Sequence, residues 1–145
     1  MEFNFDLNRV EALLKRETTI DVGFAADFND ARSRSVHASM LFVLPLDEQF
    51  KETTSVTGLD EYDFTEIFGV MIVIPSAVSN ALADEHINKL RDEVKKCVAG
   101  VQFEGWQPIK LHRGRVVEFN KDTGNLIYQG QFSVSCHLTV NTKVM

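Results

Sequence analysis

Residues 90–140 read LRDEVKKCVAGVQFEGWQPIKLHRGRVVEFNKDTGNLIYQGQFSVSCHLTV. Within this stretch the hydrophobic period changes from helical to strictly alternating over about ten residues, the signature of a helix followed by an antiparallel strand pair. On the helical side Ala83, Ile87, Leu90, Val94, Cys97 and Val98 recur at spacings of three and four with charged residues between them, so the helix lies on a core by one face and stops at Gly100. On the strand side Phe132, Val134, Cys136, Leu138 and Val140 alternate with Gln131, Ser133, Ser135, His137 and Thr139. That alternation predicts a half-buried antiparallel strand. Its partner runs from about Ile109 to Phe119, and residues 120–125 (NKDTGN) supply the Asn, Asp and Gly that a hairpin loop needs.

Working outward, Asp6 is the N-cap of a first helix, with Phe5 and Val10 as a hydrophobic staple and Leu7, Val10, Leu13 and Leu14 as the buried stripe. Ile20, Val22 and Phe24 alternate as a strand. Residues 27–35 (DFNDARSRS) are polar and turn-prone and read as a loop, residues 36–44 as the next strand, and Pro45 as its end. Residues 46–66 hold Asp47, Glu48, Glu52, Asp60, Glu61, Asp63 and Glu66 against the single Lys51, which predicts a long acidic loop. Residues 67–74 (IFGVMIVI) are apolar on both faces, as in a central strand covered on each side. SAVSNALA (76–83) leads into the second helix. The expected fold is α+β: a largely antiparallel or mixed sheet of about five strands with two packed helices, in the order α-β-β-(long loop)-β-α-β-β, forming a single domain over 1–145.

Composition narrows the function. With 145 residues and 44% apolar content the chain can bury roughly two-thirds of its unfolded surface without disulfides or metals. A net charge of -6 argues against a protein that grips a phosphate backbone. The acidic N-terminus lacks the basic start of a signal peptide, and no apolar run reaches membrane-spanning length, so assembly in the cytosol of the producing cell is expected. Cys97 and Cys136 read as free, buried thiols, although their inner-face positions leave a disulfide between them open.

Catalytic and metal-binding patterns are missing: there is no Gly-x-Ser-x-Gly elbow, His-Glu-x-x-His pair, phosphate-binding glycine loop or Cys-x-x-Cys. With the hairpin turn centred near Asp122, His112 pairs with about Ser133 and leaves His137 roughly 13 Å along the strand at about 3.3 Å per residue, too far to share a zinc ion. Asp84, Glu85 and His86 sit in a first helical turn, where the helix dipole favours carboxylates. No catalytic residue, metal ligand or cofactor is expected. The enzymatic alternative is a small α+β hydrolase or ligand-binding domain with a dispersed site, drawn from Asp84, His86 and His112. Trp106, the only tryptophan, reads as packing under the corner Gly105-Trp106-Gln107-Pro108, with Pro108 stiffening the following strand, more than as an exposed anchor. Phe28 and Phe50 are aromatic residues in polar segments and are candidates for intermolecular contact. A basic group of Lys95, Lys96, Lys110, Arg113 and Arg115 reads as a solvated face or as half of a contact with an acidic partner surface, such as a neighbour's acidic loop.

The helix with Leu90-Arg91-x-x-Val94, the Gly105-Trp106-x-Pro108 corner, Gly114-x-Val116-Val117 on the following strand, the acidic Gly-containing turn, Tyr128 and Phe132 resemble the C-terminal half of the tail terminator proteins of long-tailed bacteriophages. The spacer 100–104 is longer than is usual in that family, and the rest of the chain agrees with it in element order. The resemblance implies a virion protein of the tail and neck that forms a ring, typically a hexamer, on the last ring of tail tube subunits. Such a ring stops tube polymerisation and presents the docking surface for the head-tail connector protein, while DNA passes through the lumen without specific binding. In contractile tails it also meets the tail sheath protein. Another ring-forming neck or head-completion protein is the structural alternative. The candidate subunit and tube interface comprises Phe28, Arg32, Arg34, Asp47, Glu48, Phe50, Lys51, Glu52, Asp60, Glu61, Lys110, Arg113 and Arg115.

Overall fold

The computed structural model describes residues 2–53, 59–75 and 80–145, with the backbone alone for 80–83. Its elements are α1 (Asn8–Glu17), β1 (Asp21–Phe24), α2 (Ala25–Arg32), β2 (Met40–Thr53), β3 (Leu59–Pro75), α3 (Asn80–Val98), β4 (Lys110–Phe119) and β5 (Asn125–Asn141). The strands form one sheet in the order β1-β2-β3-β5-β4. β1 runs parallel to β2, and every other neighbouring pair is antiparallel. The class and element order are those read from the sequence, with α2 as an added helix.

Sheet faces follow from the strand period of two. In β3 the even residues Phe64, Phe68, Val70, Ile72 and Ile74 join α1 and α3 in the larger core, whereas Met71 and Val73 meet Phe28 and Ala31 of α2 on the opposite face. Residues 67–74 are apolar throughout because this half of β3 is covered on both sides, by α1 and α3 on one and by α2 on the other. β5 keeps its alternation from Phe132 on, where Phe132, Val134 and Leu138 are buried and Ser133, Ser135 and His137 are not, whereas nearer its start Ile127 is also buried, on the α2 face.

Several sequence expectations change, and the N-cap of α1 is Leu7 instead of Asp6. Residues 27–35 are not a loop: Ala25–Arg32 is helical, with the Phe24 N–H bonded to Asp27 Oδ2 at 3.2 Å. Only Phe28 and Ala31 of this helix are buried, too few to leave a readable stripe in a sequence of Asp, Asn and Arg. Likewise Pro45 does not end the second strand. β2 starts at Met40 and runs through Pro45 to Thr53, with a bulge between Pro45 and Asp47. The parallel neighbour β1 reaches only as far as Val43, so Pro45 lies on a free edge where a missing N–H is tolerated. Most of the expected acidic loop 46–66 is therefore a long β2–β3 hairpin, paired from Asp47↔Ile67 out to Thr53↔Glu61. Its connection 54–58 lies outside the described residues, as do residues 76–79 of the SAVSNALA lead-in and the side chain of Ala83.

Gly100 (φ 83°) and Gly105 (φ 85°) adopt left-handed backbone at either end of the spacer between α3 and the corner. Hydrogen bonds from Gly100 N–H to Ile109 O (2.7 Å) and from Ile109 N–H to Val101 O (2.9 Å) close this segment on itself. The β4–β5 turn is held by Asn120, whose Oδ1 accepts the N–H groups of Asp122 and Thr123, and Gly124 takes φ 75°.

Candidate functional site

The corner is an internal joint. Trp106 is 5% exposed, and its ring meets Phe5 edge-on at 5.1 Å and Phe64 at 5.6 Å. It thereby joins the chain ahead of α1 to β3, and is not presented to a partner. Gly105 and Pro108 stay at the surface beside it.

The acidic hairpin is the first open surface. Its register places Glu48, Phe50 and Glu52 opposite Glu66, Phe64 and Tyr62, on the helix side of the sheet, and Asp60 follows on the same face. Phe50 is 55% exposed and rests against the Phe64 ring at 4.8 Å. On the other face lie Asp47, Lys51, Glu61 and Asp63, with His137 of β5 reaching Asp63 at 3.2 Å and Glu61 at 3.8 Å.

β4 is the second, and forms the opposite edge of the sheet. Its residues are almost all exposed. Leu111 and Val116 pair with Phe132 and Tyr128 and so face the α3 side. A cleft of about 270 Å³ opens there between β4 and α3, lined among others by Arg91, Lys95, Leu111, Arg113 and Tyr128. The Arg91 guanidinium lies over the Tyr128 ring at 4.5 Å. Tyr128 also occupies the space above Gly114, where a Cβ would fall 2.0 Å from its hydroxyl. The basic residues expected to act together are divided: Lys95 lines the cleft, Lys96 pairs with Asp92 at 2.7 Å, and Lys110, Arg113 and Arg115 pair with Ser133, Gln131 and Gln129, which puts all three on the opposite face although Arg113 borders the cleft.

Three proposed contact residues are engaged internally. Phe28 is 7% exposed and packs against Phe42 at 5.5 Å, which corrects its reading as a partner-seeking aromatic. Arg32 bonds Glu118 at 3.1 Å across to β4, and Arg34 reaches Asp30 at 3.4 Å.

Residues suited to chemistry are dispersed. A cleft of about 680 Å³ lies between the 37–39 segment and α3 and holds His37, Ser39, Glu85, His86 and Lys89. Ser39 Oγ is 2.8 Å from His86 Nε2, a pairing the sequence did not signal because its members lie 47 residues apart. Both side chains are at the surface, and among the described residues no third hydrogen-bonded group orients the imidazole as a nucleophile's base requires. His112, at the β4 bulge, lines the α3–β4 cleft and is not brought to Asp84 and His86. His137 lies over β3, so the two hairpin histidines do not meet either. Among the described residues no group of three or more His, Cys, Asp or Glu is placed to hold a metal ion, and no helix is long and apolar enough to cross a membrane. Cys97 and Cys136 are free, and burial pushes both thiols up, away from the reactive thiolate. Glu66, 4% exposed, is the buried carboxylate that the acidic stretch concealed.

These features define an α+β protein whose distinctive residues lie on open strands and edges. The profile of the family described as Phage tail terminator protein matches residues 1–142 of the 145, and the chain belongs to that family. It is a structural component of the phage tail. No curated protein matches the chain.

Proposed function

We propose that the protein forms a ring, hexameric in stoichiometry, on the final ring of tail tube subunits, halts tube polymerisation there, and offers its other face to the head-tail connector. DNA crosses the lumen unbound, consistent with the net charge of -6. Beyond family membership, one observation carries this reading: two unlike open surfaces, an acidic hairpin and a partly basic, apolar strand edge, stand at opposite sides of one sheet. Contacts between unlike surfaces are heterologous, and they close into rings when the rotation allows. Mixing the purified protein with its tube protein, followed by negative-stain electron microscopy, tests the proposal. Rings with a central opening on tube ends, with tubes held to limited length, are expected; a protein that stays monomeric and leaves tube growth unchanged rejects it. Binding to the connector but not to the tube would reassign it to a neck component.

A further inference from the structure

We propose that the contact between neighbouring copies is made by the β2–β3 hairpin of one chain docking in the α3–β4 cleft of the next, with Phe50 on the apolar floor and Glu48, Glu52 and Asp60 facing Arg91 and Lys95. The inference rests on the ring proposed above. On the cleft side, Leu111 and Val116 are 60% and 62% exposed on a free edge strand, an arrangement that invites association unless covered. Arg91 adds a cation on the cleft wall, its guanidinium over the Tyr128 ring. An incoming carboxylate gains a charge-assisted bond there.

The hairpin supplies the complement. Phe50 stands on a face otherwise bearing Glu48, Glu52 and Asp60. None of these three carboxylates forms an ion pair among the described residues, and neither do Arg91 and Lys95. The chain cannot satisfy both surfaces by itself, since β3 and β5 separate β2 from β4 by about 14 Å at about 4.8 Å per strand. A second copy presents both surfaces at once.

Charge exchange in the full-length protein tests the assignment. The hairpin variant carries Glu52→Lys with Asp60→Lys, and the cleft variant Arg91→Glu with Lys95→Glu. Each alone is expected to need at least about tenfold more protein than the wild type to form rings, measured by light scattering coupled to size exclusion, because like charges then face each other. An equimolar mixture is expected to recover rings, as every contact becomes acid against base again. Recovery in the mixture reports only on folded chains, which separates a lost contact from a lost fold. Wild-type rings together with variants that assemble as readily, or folded variants that fail to rescue each other, overturn this contact while leaving the ring intact. A wild type that forms no ring with or without tubes overturns the ring and this contact together.

Discussion

The backbone N–H of Phe5 donates a 3.1 Å hydrogen bond to Glu66 Oε2, tying the residues ahead of α1 to the middle of β3. Burial is the main cause that holds the Glu66 carboxyl above its ordinary pKa; the bond from Phe5 opposes it, and the Glu48 charge across the ladder adds to it.

A folded-state pKa above the unfolded one means that the native state holds the proton more tightly. The corresponding stability is fully present below the ordinary carboxylate range and is lost as pH rises through the raised value. Glu66→Gln keeps a carbonyl acceptor for Phe5 but has no charge to bury. Thermal melts should show the variant more stable than the wild type at neutral pH, the two converging below about pH 4. A gap independent of pH would mean that the Glu66 charge is not the cause.

Trp106 fills the space between Phe5 and Phe64. Trp106→Ala should cost about 3–5 kcal/mol in chemical unfolding through the cavity it leaves. Amide exchange in α1 should quicken with it, because Phe5 loses its edge contact. An unchanged denaturation midpoint would contradict this role as a joint.

Asn125 is fully buried at the start of β5, where its Oδ1 accepts the Val36 N–H at 3.3 Å and its Nδ2 donates to Ala31 O at 3.3 Å and Arg34 O at 2.8 Å. One side chain thus ties down the chain from Ala31 to Val36, where it leaves α2. Asn125→Ala leaves the Val36 N–H and the Arg34 carbonyl without this partner and should cost about 2–3 kcal/mol. Asn125→Asp should be worse at neutral pH, since it sets a carboxylate among carbonyl oxygens, and should recover in part on acidification. Equal stability of the two variants at all pH values would count against the hydrogen-bond account.

Phe28 and Phe50 look alike in sequence and differ in the fold. Phe28→Ala should destabilise by about 3–5 kcal/mol because it empties the core under α2. Phe50→Ala, at a half-exposed position, should cost only about 1 kcal/mol in the isolated protein. Unfolding curves recorded side by side decide it, and the reverse ranking would refute the packing of α2.

Elements that bury a regular face were legible from the sequence. The stripe of α3, the alternation of β5, the Asn-Asp-Gly turn and the doubly covered run 67–74 all repeat a pattern set by burial, and burial is what periodicity records. α2 and the outer β2–β3 hairpin were not legible. α2 buries too little to write a stripe, and the hairpin's outer strands are solvated on much of both faces, so charged residues occupy positions that would otherwise alternate.

The candidate site divides along the same line. By itself the sequence determined the family pattern, the excess of negative charge and the corner at Trp106, because these reside in residue identity and short spacing. Only the tertiary structure decided that Phe28 is core, that Phe50 is open, that Arg91 lies over Tyr128, and that the acidic hairpin stands across the sheet from the α3–β4 cleft. Those relationships join residues far apart in the chain, and they depend on strand order and bulge positions that local propensity does not encode.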